Sequence, residues 1–269
     1  MIPKIIHQIW MQGENNIPKK FYNNIKIIKD MHPNWKYLLW DEIKILNMIK
    51  NDSDLLNTYY KFVHLHQKID FAKYIMLYKY GGVYLDMDSY TQKPIDTLLE
   101  KYKNYDLILS KIDLDSIYES YFICGSNWCM NNGIILSLPK SIVLEKVIEE
   151  IIKNPICGIG GKFFCIQNTT GPSKFTKIIK KYMKEHPDIN DVIILEAEYL
   201  EPCKLNKCNI TENTYTVHSH EGSWLNDNFK SFGQFYVNNT VLFWIILILS
   251  IILFYYLYKY YWNDNILLQ

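Results

Sequence analysis

The chain has no arginine: among 269 residues, its 29 permanently basic side chains are all lysines. Alanine is almost as scarce, present only at Ala72 and Ala197, while Ile, Lys, Asn and Tyr abound. The bias fits an AT-rich coding sequence and bears on function only where a guanidinium is expected. An excess of one charge is also missing. Against the 29 lysines stand 28 acidic residues, a net charge of +1, which excludes a basic face built to neutralise nucleic-acid phosphates. Six cysteines are too few and too scattered for a small disulfide scaffold. Cys124-x4-Cys129 and Cys203-x4-Cys208 approach zinc spacing, but no histidine pair completes either, and they read as structural cysteines, free or paired. Internal repeats, low-complexity linkers and charge blocks are absent. What is present, 49% hydrophobic and 15% aromatic residues, excludes disorder and supplies a full core.

That apolar content is uneven. Residues 241–258 read VLFWIILILSIILFYYLY, eighteen positions without a charge, which as a helix span about 27 Å, close to a bilayer's hydrocarbon thickness. Trp244 at one end and Tyr255, Tyr256, Tyr258, Tyr260, Tyr261 and Trp262 at the other match interfacial aromatic belts. The sequence therefore predicts a domain over 1–236, a single-pass C-terminal anchor over 237–262 and a short tail over 263–269. The opening MIPKIIHQIWMQG has no long apolar run and no small-residue cleavage site, so it reads as folded domain rather than signal peptide. Such an anchor inserts after synthesis and leaves the domain cytosolic. Sequons at Asn51, Asn168, Asn209 and Asn238 keep a lumenal face open, and a glycan at Asn168 or Asn209 would place the domain in the lumen.

Upstream, apolar runs alternate with helical spacing. Residues 4–10 and 35–40 read as strands; 18–29 and, after an Asp41 cap, 42–50 read as helices. A third helix is expected over 59–79, stopped by Gly81-Gly82, with VYLD as the next strand. LILS, GIILSL and VIILE read as further strands, and 142–153 and 173–184 as further helices. This alternation predicts an α/β domain with a mainly parallel sheet.

Asp86 and Asp88 close the strand after Gly-Gly. Two carboxylates one residue apart share a strand face and repel unless a cation sits between them. Hard oxygen ligands suit Mg²⁺ or Mn²⁺, which usually bridge to phosphates. The C-terminal end of a strand in an open α/β sheet is where ligands bind.

In their setting these residues resemble the DXD-motif glycosyltransferases of the Och1-like and inositol-phosphoceramide mannosyltransferase family (glycosyltransferase family 32-like). Asp70, Lys73, Tyr74, Leu77, Tyr78, Tyr80, Gly81, Gly82, Tyr84, Asp86 and Asp88 stand in the family's D-x-x-R-Y…L-Y-x-Y-G-G-x-Y-x-D-x-D register. IPKIIHQIW at 2–10, PNWKYLLWD at 33–41, Asn132-Gly133, Thr170-Gly171-Pro172 and VHSHEGSW at 217–224 resemble further family landmarks. The resemblance implies a GT-A fold and transfer of a sugar from a nucleotide diphosphate with retention of anomeric configuration. It implies GDP-mannose as donor, or else a UDP-hexose, and a lipid or glycan acceptor in the endomembrane system. It implies that Asp86 meets the sugar or ribose and, through water, the metal, and that Asp88 ligates the metal directly. By the same resemblance His218, with His220 as rival, is a further metal or diphosphate contact. Ser223 and Trp224 reach the diphosphate, Trp10 stacks on the base, Tyr84 lines the nucleotide site, and Asp70 and Lys73 face the donor sugar. Lys73 departs from the family, which has arginine there; lysine keeps the charge and loses the planar fork. The competing reading is therefore a catalytically weak or inactive nucleotide-sugar-binding membrane protein.

Overall fold

Short runs rich in Ile, Leu and Val bury both faces only inside a sheet covered on either side, and the chain builds such a sheet. The computed structural model describes residues 1–114, 117–159, 161–189, 191–204, 207–219 and 239–266. Their strands are β1 (Ile5–Ile9), β2 (Lys36–Trp40), β3 (Gly82–Leu85), β4 (Ser89–Thr91), β5 (Leu107–Ser110), β6 (Ile134–Ser137), β7 (Val192–Leu195), β8 (Cys203–Lys204), β9 (Lys207–Cys208) and β10 (Thr216–His218). The helices are α1 (Tyr22–Met31), α2 (Glu42–Ile49), α3 (Ser53–Lys61), α4 (Leu65–Tyr80), α5 (Asp96–Lys101), α6 (Ile117–Cys124), α7 (Ile142–Lys153), α8 (Gly161–Thr169), α9 (Pro172–Glu185) and α10 (Ala197–Leu200), followed by a C-terminal helix, Thr240–Ile266.

The main sheet has the order β2-β1-β3-β6-β5-β7. β1 pairs in parallel with β2 and β3, and β5 with β7; only β6 runs against its neighbours β3 and β5. The sheet is thus mixed and mostly parallel, the α/β architecture the alternation predicts. Side chains alternate between two apolar layers. Tyr84, Leu107, Leu109 and Ile135 pack with α2, α3, α4, α7 and α9. Val83, Leu85, Ile108, Ile134 and Leu136 pack on the opposite face with Ile28 of α1, Leu98 and Leu99 of α5 and Leu200 of α10.

Asp41 caps α2 as expected, accepting from Lys44 N at 2.8 Å. The single helix expected over 59–79 is instead two. Asp52 caps α3 by accepting from Leu55 N at 3.0 Å, Phe62 turns extended, and His64 starts α4 through a capping box with Gln67. Apolar spacing runs through the break and conceals it. α4 stops at Gly81 (φ 61°), and a Cβ on Gly82 (φ 102°) would lie 2.5 Å from Ile5 O. Glycine there lets β3 close against β1. The six cysteines form three disulfides, Cys124–Cys129, Cys157–Cys165 and Cys203–Cys208.

The chain divides into two units, Met1–Glu221 and Gly222–Gln269. In the second, Val241–Tyr260 forms a 20-residue helical stretch long and apolar enough to cross a membrane, with no part of it buried.

Candidate active site

β3 delivers the two aspartates. It leaves the sheet at Leu85, and the backbone turns so that Ser89 N donates to Asp86 O at 3.0 Å. Neighbouring strand ends fix this turn: Asp86 N donates to Gly133 O (2.9 Å), just before β6, and Gln8 Nε2 of β1 donates to Asp86 O (3.1 Å). Tyr84, 1% exposed, donates its hydroxyl to Asp86 Oδ1 at 2.7 Å. The Tyr84 side chain therefore meets the site through Asp86.

A separate two-stranded ladder brings the histidine. β10 pairs antiparallel with β4, setting His218 opposite Ser89, and Ser219 N donates to Asp88 O at 3.1 Å. His218 Nε2 then lies 3.1 Å from Asp88 Oδ1 and 3.8 Å from Asp86 Oδ2. Its other nitrogen, Nδ1, is 2.7 Å from Oε1 of Glu201, a fully buried carboxylate. The cradle is tight: a Cβ on Gly133 would stand 2.6 Å from Asp86 Oδ2 and 2.9 Å from His218 Cε1.

Beside this cluster α4 presents Asp70 and Lys73 on one face, Nζ to Oδ1 2.6 Å, both buried. Asn132 Nδ2 donates to Asp70 Oδ1 (3.1 Å) and to Tyr74 Oη (2.9 Å), and Thr170 Oγ1 donates to Asp70 Oδ2 (3.0 Å). The Lys73 ammonium also lies over the Tyr84 ring, 5.2 Å from its centroid.

Burial raises the carboxyl of Asp70 above the usual range, with Lys73 opposing it. Burial likewise raises Asp86, against the pull of Lys73 and His218. For His218, burial would favour the neutral ring, but Glu201 and Asp88 outweigh it and hold the imidazole well above its ordinary value. Four carboxylates (Asp70, Asp86, Asp88, Glu201) thus face two cations, Lys73 and His218. A divalent cation would take the place of the proton on His218 Nε2, since a ligating imidazole is neutral, and would still reduce the excess of negative charge. One ligand atom each from Asp86, Asp88 and His218 lie within 4.8 Å of one another. With Glu201 on the far nitrogen of the ring, this is the carboxylate–histidine–metal arrangement common at metal centres, so the residues fit such an ion. Among the described residues one other group, His64 with Cys157 and Cys165, has comparable spacing, but its thiols are consumed in a disulfide.

Residues 18–105, spanning α1 to the DXD turn and α5, match the family model for the glycosyltransferase sugar-binding region containing the DXD motif. Uncharacterized glycosyltransferase L373 of Acanthamoeba polyphaga mimivirus is 30% identical over 232 residues, 83% of this chain and 84% of that protein. The chain belongs to the DXD-motif glycosyltransferases. The initiation-specific alpha-1,6-mannosyltransferase of Candida albicans is 31% identical over 298 aligned positions, covering 86% of this glycosyltransferase and 74% of that one. Inositol phosphoceramide mannosyltransferase 1 of Schizosaccharomyces pombe is 38% identical over 104 residues, 37% of this chain and about a third (32%) of the relative.

Of the sequence-predicted residues, the fold of this glycosyltransferase brings Asp86, Asp88 and His218 together, with Asp70 and Lys73 adjacent. Trp10 is half-buried at the end of β1. It packs on Phe21 at 5.7 Å, donates Nε1 to Asn16 O at 2.9 Å, and shares an apolar cluster with Met87 of the DXD turn. His220, Ser223 and Trp224 lie outside the described residues. Sequence reasoning missed Glu201, Gln8 and the roles of Asn132 and Thr170. The last two stood only as landmarks, and nothing in the spacing marks Glu201, which lies just past α10 and meets the site through His218 Nδ1.

Proposed function

We propose that this glycosyltransferase moves a hexose, mannose favoured, from a nucleotide-diphosphate sugar to a lipid or glycan acceptor at a membrane, with retention at the anomeric carbon. The observation that carries the reading is the convergence of Asp86, Asp88 and His218 at the C-terminal end of β3. Asp86, Asp88 and His218 would hold the cation, and an imidazole in the set favours Mn²⁺ over Mg²⁺. That ion, when bound, supplies Lewis-acid neutralisation of the leaving diphosphate. The chain's own residues bind and orient. Tyr84, Gln8 and the Gly133 backbone fix Asp86. Asp70, held by Asn132 and Thr170 and neutralised by Lys73, faces the donor sugar, and Trp10 flanks the base.

Relatives named as mannosyltransferases support GDP-mannose ahead of UDP-hexoses, and those named for inositol phosphoceramide support a sphingolipid acceptor ahead of a protein glycan. The 20-residue apolar stretch supports anchoring in the endomembrane system. Three disulfides support a domain facing its oxidising lumen rather than the cytosol. The test is transfer by the full chain in detergent with GDP-mannose or UDP-hexoses, Mn²⁺, and an inositol phosphoceramide or mannoside acceptor. Mannosylated lipid with retained configuration by NMR is expected; transfer only from a UDP-sugar would overturn the donor. A nucleotide-sugar-binding protein without turnover is the second reading, favoured by Lys73 standing where the family has arginine. Saturable donor binding with neither hydrolysis nor transfer is its signature.

A further inference from the structure

Among the described residues, one carboxylate has no exposed surface at all. Glu201 is fully buried just past α10, where Thr216 Oγ1 of β10 donates to the neighbouring Leu200 O at 2.7 Å and ties the two segments together. A buried carboxylate is costly without a partner of opposite charge. Glu201 Oε1 lies 2.7 Å from His218 Nδ1, and the ring's Nε2 points at Asp88 Oδ1 and Asp86 Oδ2.

We propose that Glu201 is a positioning residue that makes His218 a metal ligand, by holding the proton on Nδ1 so that the Nε2 lone pair faces the space between Asp86 and Asp88. This inference rests on the metal reading above. An acceptor fixed at Nδ1 leaves the neutral ring one tautomer, the one with Nε2 free to coordinate, and the adjacent negative charge makes that nitrogen a stronger base. Ring orientation follows from the same contact. β10 sets only the Cα of His218 opposite Ser89, whereas the bond to Glu201 sets the rotation about the side chain. Replacing the carboxylate by an amide removes the charge, and an amide NH₂ turned toward Nδ1 selects the wrong tautomer.

Mn²⁺ binding to the purified full chain in detergent, read as loss of the free-ion electron paramagnetic resonance signal, tests this through a double-mutant cycle. Glu201→Gln is expected to weaken Mn²⁺ binding about 10- to 100-fold in the native background and by less than about twofold once His218→Ala is present, because the two act as one unit. Glu201→Asp, which keeps the charge, runs through the same cycle as second variant in case the amide fails to fold. Unchanged affinity in Glu201→Gln, or equal weakening with and without His218, overturns the role of Glu201, since a purely structural residue would act in both backgrounds. Wild type that takes up no Mn²⁺ overturns the metal reading instead. Binding that is lost in Asp88→Asn but intact in Glu201→Gln leaves the metal reading standing and removes this inference alone.

Discussion

At the scale of single residues the site is a problem of packing charge without water. Lys73 and Asp70 neutralise each other at 2.6 Å with 2% and 11% of their side chains exposed. Lys73→Met strands a buried carboxylate and is expected to cost about 3–5 kcal/mol of stability. Adding Asp70→Asn should recover much of it, and thermal unfolding midpoints of the two variants check this. Gly133→Ala makes the opposite error by adding volume. Its methyl would stand 2.6 Å from Asp86 Oδ2, so nucleotide-sugar hydrolysis should fall at least about 10-fold, about 1.4 kcal/mol of barrier, with the unfolding midpoint little changed; wild-type hydrolysis would contradict the cradle. The aspartates and Lys73 were legible in the sequence because they are local: an i,i+3 pair on a helix and an i,i+2 pair at a strand end. Glu201 and Gln8 were not, because each reaches the site through a contact 17 to 78 residues away along the chain.

At the scale of elements, the sheet was legible because its strands announce themselves as continuous apolar runs, and α7 and α9 because their apolar spacing is regular. The α3–α4 break was hidden because Phe62 continues the apolar pattern while leaving the helix. The β4–β10 ladder was hidden because three-residue strands (Ser89–Thr91 and Thr216–His218) carry no periodicity. β1 also has a titration of its own. His7 is fully buried, donates from Nε2 to Gly81 O (2.9 Å) and accepts at Nδ1 from Trp40 Nε1 (3.1 Å), and burial lowers it to about 4. The unfolded chain, with a histidine near 6.5, takes up the proton first. The stability due to neutral His7 is therefore complete above that value and lost as the pH falls toward 4. Between pH 7 and pH 5 the loss is about 2 kcal/mol. His7→Gln, which keeps a donor for Gly81 O, should have a shallower pH dependence of its unfolding midpoint over this range; parallel curves would contradict the assignment.

At the scale of the whole molecule, a DXD glycosyltransferase domain and a membrane-length helix share one chain. If the domain faces the lumen, Asn168 and Asn209, both exposed, are available to glycosylation. Expressed in a eukaryotic host, the protein should stay in the membrane pellet after carbonate extraction and run faster after endoglycosidase treatment. A membrane-bound but unglycosylated chain whose domain is digested by protease added outside sealed microsomes would place it in the cytosol. The central claim, that Asp86, Asp88 and His218 form a divalent-metal centre for nucleotide-sugar chemistry, belongs to this scale too, because two segments far apart along the chain, the turn after β3 and β10, must assemble to make it. The most direct measurement is GDP-mannose hydrolysis by the metal-stripped full chain as Mn²⁺ is returned, wild type beside Asp88→Asn. Activity should rise saturably with Mn²⁺ in wild type and fall at least about 100-fold in Asp88→Asn, a barrier increase of about 3 kcal/mol. Equal activity in the two proteins, or wild-type activity indifferent to Mn²⁺, would contradict the claim.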